Sequence, residues 1–224
     1  MLLVALLVVL EASGLLIGQM PIKEILRPSI FSGETADSLE CIYQASKDGW
    51  DASTFHKMVD YNPPVPSLVL LKTNKGKLAG CFNPLGWQSR DDYRDSLRCY
   101  LFRVEGKAVQ FSTKLQSGPA VYDFGDRAIW MGEALEIPLN PQYMSRRRAR
   151  SALSTSYSSL TPAKPGVSGL LDGSEAELSE LEVYTSRALL RASKLMTGAA
   201  GSPSSQPAAR SILQQFEKFL FGGD

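Results

Sequence analysis

A chain of 224 residues with 44% apolar and 21% charged residues carries enough apolar material for one sizeable core with appendages. Its 24 basic and 23 acidic side chains nearly cancel, so no whole-molecule field steers it toward nucleic acid or an acidic substrate, and nucleic acid is not an expected partner. Cys41, Cys81 and Cys99 lie far apart with no CxxC pair, and an odd count closes no disulfide framework; a reducing, cytoplasmic setting fits them best as small buried hydrophobes.

Leu2 to Leu10 is wholly apolar, Glu11 interrupts it, and a second apolar patch follows at Leu15 to Ile17. Three readings of residues 1–30 stay open. One is a packed helix or the end of a longer piece. Another is a targeting signal, although the usual basic n-region is missing. The third is a membrane anchor, with membrane association through this run, although Glu11 falls in its middle. Residues 31–186 form the main domain. Within it, Leu39, Ile42, Tyr43 and Ala45 recur at helical spacing and predict a helix over Ala36 to Ser46 that Gly49 ends. Asp51 or Ser53 then N-caps a second short helix with Phe55, Met58 and Val59 on one side, closed by Asn62-Pro63-Pro64.

The period changes at Ser67. Ser67 to Thr73 is an apolar run of strand length, Asn74 to Lys77 is turn chemistry, and Leu78 to Phe82 returns as the hairpin partner. Arg98 to Val104 and Ala108 to Thr113 flank Glu105-Gly106-Lys107 and make the clearest hairpin in the chain. Shorter strands are predicted at Ala128 to Met131, Leu135 to Pro138 and Leu178 to Thr185. This order predicts an α+β fold, an antiparallel sheet assembly with helices added at its start. Between Pro141 and Ser174 the composition turns to Ser, Arg, Pro and Gly, which predicts a mobile loop over 141–174. Residues 187–207 read as a linker. Residues 208–224 read as an amphipathic helix, with Ile212, Leu213, Phe216, Phe219 and Leu220 at helical spacing.

Few residues carry recognisable chemistry. His56 is the single histidine, beside no serine or cysteine at a known nucleophile spacing, and reads as a surface or boundary histidine with an ordinary hydrogen bond. One histidine and three scattered cysteines do not make a zinc site, and the glycines form neither GxGxxG nor a phosphate loop, so no metal and no cofactor is expected. Asp91-Asp92 and the series Glu175, Glu177, Glu180 and Glu182 read as a solvated face. The more specific signal is Arg146-Arg147-Arg148-Ala149-Arg150, four arginines in five residues that could pair with phosphate, anionic lipid or an acidic protein face. Arg146, Arg147, Arg148 and Arg150, with Phe216, Phe219 and Leu220 of the terminal helix, are the candidate partner-binding residues.

Asp48-Gly49-Trp50-Asp51-Ala52-Ser53-Thr54-Phe55-His56, then Pro66 to Thr73, then Leu78-Ala79-Gly80-Cys81-Phe82 with Gly86-Trp87, resemble the front half of a TLDc domain in order and spacing. Arg98 to Phe102, Gly118-Pro119 with Phe124-Gly125-Asp126 and Ile129-Trp130, and Leu181-Glu182-Val183-Tyr184 resemble its second half. The Trp-Asp-Ala-Ser-Thr-Phe-His form and Ser154 to Leu160 are similar to the plant and algal branch. Cys81 stands where a second glycine is common, Ala128 where leucine is usual, and the Arg/Ser-rich loop replaces a shorter stretch. The resemblance implies a β-sandwich of two antiparallel sheets flanked by short helices, of the oxidation-resistance protein family. It further implies protection against oxidative stress, binding and regulation of the vacuolar-type proton ATPase, and no catalytic residue set. Two other functions stay open, a cysteine-based peroxide-scavenging enzyme and a membrane-associated structural protein.

Overall fold

The computed structural model describes residues 15–162, 169–171, 173–197, 211 and 214. A 3₁₀ turn at Leu16–Gln19 and helix α1 (Ile22–Leu26) precede strand β1 (Leu39–Gln44), helix α2 (Ala45–Asp48) and helix α3 (Ala52–Val59). Then come β2 (Ser67–Thr73), β3 (Leu78–Asn83), β4 (Asp92–Arg94), β5 (Tyr100–Glu105) and β6 (Ala108–Thr113). The chain continues through β7 (Val121–Asp123), β8 (Ile129–Met131), β9 (Leu135–Ile137), β10 (Arg148–Arg150), β11 (Glu175–Ser186) and helix α4 (Arg187–Met196).

Hydrogen bonding orders the strands β6-β5-β3-β2-β11-β10-β9-β8, with β1 also on β11, while β4 and β7 pair separately. The long strand β11 belongs to both layers: Tyr184 pairs with Leu68 of β2 and with Cys41 of β1, whereas Glu177 pairs with Arg148 of β10. The result is the expected α+β sandwich of antiparallel sheets with a few short helices.

The unbroken apolar run of β2 follows from a sheet buried on both faces. Side chains alternate along a strand, so Val69 and Leu71 point with Ala79, Cys81, Leu101, Leu181 and Val183 toward Ile129, Met131, Leu135, Ile137 and Ala149 of the other layer. Leu68 and Leu70 point the opposite way with Phe82, Tyr100, Phe102 and Val104, where Leu16, Met20, Ile22, Ile25, Leu26 and Phe31 cover them. Each aliphatic side chain buried this completely contributes about 2 kcal/mol. Residues 15–30 therefore pack as part of the core. The Leu16 N–H donates to Glu182 Oε2 at 2.8 Å, and the Tyr100 hydroxyl donates to the Ile25 carbonyl at 2.9 Å. Leu2 to Leu10 lie outside the described residues, among which no helix is long and apolar enough to cross a membrane.

Four sequence readings are corrected. Leu39–Gln44 is a strand, and the register shift between Cys41 and Tyr43 explains why it mimics a helix. The bulge turns the successive residues Ile42 and Tyr43 into the same core, while Leu39 is buried in the opposite one, and the three buried positions together reproduce an i, i+3, i+4 spacing. Arg187–Met196, within the stretch read as linker, is helix α4, built from good helix formers with Leu189, Leu190 and Ala192 buried. Part of the 141–174 loop is strand β10, and Thr161 exchanges two 2.7 Å backbone hydrogen bonds with Phe111, so this stretch covers the free edge of β6. Finally, Glu182 is fully buried and not on a solvated face; it accepts from the Tyr184 hydroxyl at 2.7 Å as well as from Leu16, and burial raises its pKa above the ordinary carboxylate value.

Candidate functional site at one end of the sandwich

Asp51 caps α3, accepting from the backbone N–H groups of Ser53 and Thr54 as its sequence position requires. The helix so aimed carries His56, which is buried rather than at the surface. Its Nδ1 lies 3.0 Å from Asp60 Oδ1, one helical turn on, and its Nε2 lies 2.7 Å from the Arg127 carbonyl. Both ring nitrogens face acceptors, an arrangement only the doubly protonated imidazolium satisfies. Desolvation pulls the His56 pKa down, but the hydrogen bonds to Asp60 and the Arg127 carbonyl outweigh it and leave the value raised.

This fixes a pH dependence. A raised folded-state pKa means that the native state holds the proton more tightly than the unfolded chain. The stabilisation is fully present below about pH 6.5, the unfolded histidine value, and is lost as pH rises through the folded value. The stability gap between wild type and His56→Gln, measured by urea unfolding, should therefore be wider at pH 6 than at pH 9; an unchanged gap would show that the ring is neutral.

The same Asp60 receives the Ser89 hydroxyl on Oδ2 at 2.6 Å. The carboxylate thus sits between serine and histidine, and the imidazole does not reach the hydroxyl, so this is not the geometry of an activated nucleophile. Next to it, fully buried Asp123 accepts the backbone N–H groups of Gln88 and Ser89 on Oδ1, at 3.2 and 3.1 Å, and Arg94 Nη1 on Oδ2 at 3.1 Å. Arg94 also donates to the carbonyls of Gly86 and Leu85 at 3.0 and 2.8 Å. Asp123 ends β7 and Arg94 ends β4, so this knot holds the small two-stranded sheet against the rest of the fold.

On the outer side of that sheet stand four aromatic rings. Tyr93 and Tyr122 are directly paired across the strands, with centroids 5.0 Å apart. Trp130 lies 4.4 Å from Tyr122, and Phe124 lies 5.4 Å from Tyr93 and 6.1 Å from Trp130, which closes the circuit. Tyr93 is 63% exposed. The Arg127 guanidinium is held between two rings, 4.1 Å from Trp130 and 3.9 Å from Tyr143. Tyr143 in turn hydrogen-bonds Asp126. His56 thus anchors the backbone of the residue whose side chain organises this surface.

The candidate arginines adjoin it. Glu136 lies 3.5 Å from Arg127 and 3.8 Å from Arg150. Arg148 and Arg150 pair with Glu175 at 3.1 and 3.3 Å, Arg146 with Asp51 at 3.7 Å, and Arg147 lies 5.2 Å from the Trp50 ring. The pairs of Arg146 with Asp51 and of Arg148 and Arg150 with Glu175 are exposed, each worth about 0–1 kcal/mol, so these guanidinium groups can exchange partners. Phe216, Phe219 and Leu220 lie outside the described residues. The aromatic circuit was missed in the sequence because Tyr93 and Tyr122 meet through two short strands that are distant along the chain; the only signal was the spacing Tyr122, Phe124 and Trp130.

The cysteines behave as small core residues. Cys81 and Cys99 are buried, the first with its pKa well above the ordinary thiol value, the second pushed up to about 12, and Cys41 is pushed up to about 11, in each case by burial first. No group of residues suited to holding a metal ion occurs among the described residues.

A two-layer antiparallel sandwich with one face of the main sheet closed by the N-terminal segment is the class of fold this chain defines. The TLDc domain family model matches residues 17–186, and the chain belongs to that family, within the oxidation-resistance group. No curated protein matches it.

Proposed function

We propose that this protein is a non-catalytic TLDc-type interaction module that contributes to protection against oxidative stress by docking a protein partner, a subunit of the vacuolar-type proton ATPase being the partner the family resemblance indicates. The observation that carries this reading is the circuit of exposed Tyr93 with half-buried Tyr122, Phe124 and Trp130, and Arg127 stacked on it. Tyr, Trp and Arg are the residue types that dominate binding energy at interfaces, and here a rigid sheet holds them in place before any partner arrives. The Arg146 to Arg150 run supplies a second contact element, and the segment 208–224 with Phe216, Phe219 and Leu220 a third.

The thiols favour docking over peroxide scavenging. Peroxide chemistry needs an exposed thiolate of low pKa, whereas all three thiols here are shifted upward by burial. The test is binding of the full chain to purified cytosolic sector of the proton ATPase. Tyr93→Ser combined with Arg127→Ala should weaken binding by about 2 kcal/mol, roughly thirtyfold, with the melting temperature of Tyr93→Ser alone unchanged. Full affinity in the double variant would remove this surface from the interface, and no binding by wild type would remove the partner.

A further inference from the structure

A cavity of about 400 Å³ opens where the N-terminal segment meets the start of β5, lined by Arg27, Leu97, Arg98, Tyr100 and Phe111 among others. It lies apart from the aromatic circuit and shares no residue with it. Its floor is rigid: the Tyr100 hydroxyl is tied to the Ile25 carbonyl at 2.9 Å, and its ring stacks on Phe82 at 5.3 Å and meets Phe111 edge-on at 5.7 Å. At the same cavity Leu97, a large apolar side chain, is left 57% exposed. Arg27 and Arg98 are its basic lining residues, Arg98 making an interaction of its own as well, and no acidic residue lines it among the described residues. Arg27 has a 3.8 Å pair with Glu24, but the two side chains are 77% and 53% exposed, and such a surface pair holds an arginine only weakly.

We propose that this cavity binds a small amphiphilic anion, a carboxylate or sulfonate on an aromatic or short alkyl body, with Arg27 and Arg98 holding the head group and Leu97, Tyr100 and Phe111 the body. The volume is that of a site for one small molecule, and an apolar lining with a few convergent polar groups is the usual composition of such sites. The guanidinium fork matches a carboxylate or sulfonate geometrically, two donors to two oxygens. A cation or a neutral alcohol of the same body gains nothing from the arginines.

The experiment titrates the full chain with the fluorescent probe 1-anilinonaphthalene-8-sulfonate and competes it with decanoate, decanol and decyltrimethylammonium. One site per chain is expected, displaced by decanoate and not by the other two. Arg27→Gln with Arg98→Gln should weaken both the probe and decanoate by about tenfold or more. If the double variant melts lower, Arg27→Gln alone, on the highly exposed side chain, should still weaken both several-fold. Tyr93→Ser should leave the titration unchanged, which separates this cavity from the aromatic circuit. Equal displacement by decanol or decyltrimethylammonium, wild-type affinity in the arginine variants, or binding to phosphatidylglycerol vesicles without binding to decanoate would each overturn the proposal.

Discussion

Gly80→Ala is expected to destabilise the fold by about 3 kcal/mol or more and to lower the melting temperature by roughly 10 °C, with much of the protein insoluble on expression. Gly80 lies in the middle of β3, paired with Leu70 on one side and Phe102 on the other. A Cβ there would stand 2.0 Å from the Val69 carbonyl oxygen and 2.5 Å from Phe102 Cζ. The first obstacle is backbone at the centre of a sheet buried on both faces, and the second is a fully buried ring. Neither yields cheaply, because close-packed interiors transmit rather than absorb such displacements. Phe102→Leu in the same chain should recover only part of the loss, since it relieves the ring contact and leaves the carbonyl contact in place. Gly33→Ala, where nothing lies within 4 Å, serves as the control and should melt within a degree or two of wild type. A normal melt for Gly80→Ala, followed by differential scanning calorimetry, would mean that β2 and β3 are not held at this spacing.

What the residues disclosed before the fold was known depended on how local each signal was. Ser67 to Phe82 and Arg98 to Thr113 were legible because turn chemistry and apolar runs sit side by side, and the pairing they require is between neighbours. The cap of α3 was legible for the same reason, since Asp51 and the N–H groups it serves are two and three residues apart. β1 was misread because its period is broken by a bulge that only its partner β11, far along the chain, imposes. β4, β7 and β10 are three residues long and pair with strands far along the chain, whereas β8 and β9, equally short, are legible because they pair with each other across a local turn. In the candidate site, the arginine run was visible as composition, but its neighbours were not. His56 and Arg127 are 71 residues apart, and nothing around either announces that one ring nitrogen will fix the other's carbonyl. The aromatic circuit likewise draws Tyr93 from one segment and Tyr122, Phe124 and Trp130 from another, so its existence is a property of the sheet rather than of any stretch of sequence.

The second large effect tests whether that circuit is held by the polar knot behind it. Asp123→Ala is expected to destabilise the protein by about 3–5 kcal/mol, because it strips a buried charge of its partner and leaves two backbone donors without an acceptor. The partner is Arg94, 15% exposed, and the donors are the N–H groups of Gln88 and Ser89. Asp123→Asn keeps an acceptor on Oδ1 while removing the charge that faces Arg94, so its loss should be intermediate, and urea midpoints would order the three proteins. Replacing both Arg94 and Asp123 by leucine should be milder than Asp123→Ala, since no unpaired charge is then left inside. The consequence for the surface is separate from stability. Tyr93 and Tyr122 face each other on the strands that Arg94 and Asp123 terminate, so loosening the knot should blur the near-ultraviolet circular dichroism of the edge-to-face rings at temperatures where the far-ultraviolet signal is still native. Should the ring signal and partner affinity of Asp123→Ala stay at wild-type levels while its stability falls, the circuit would be self-supporting, and the role of the His56, Asp60 and Asp123 network would be confined to holding the fold together.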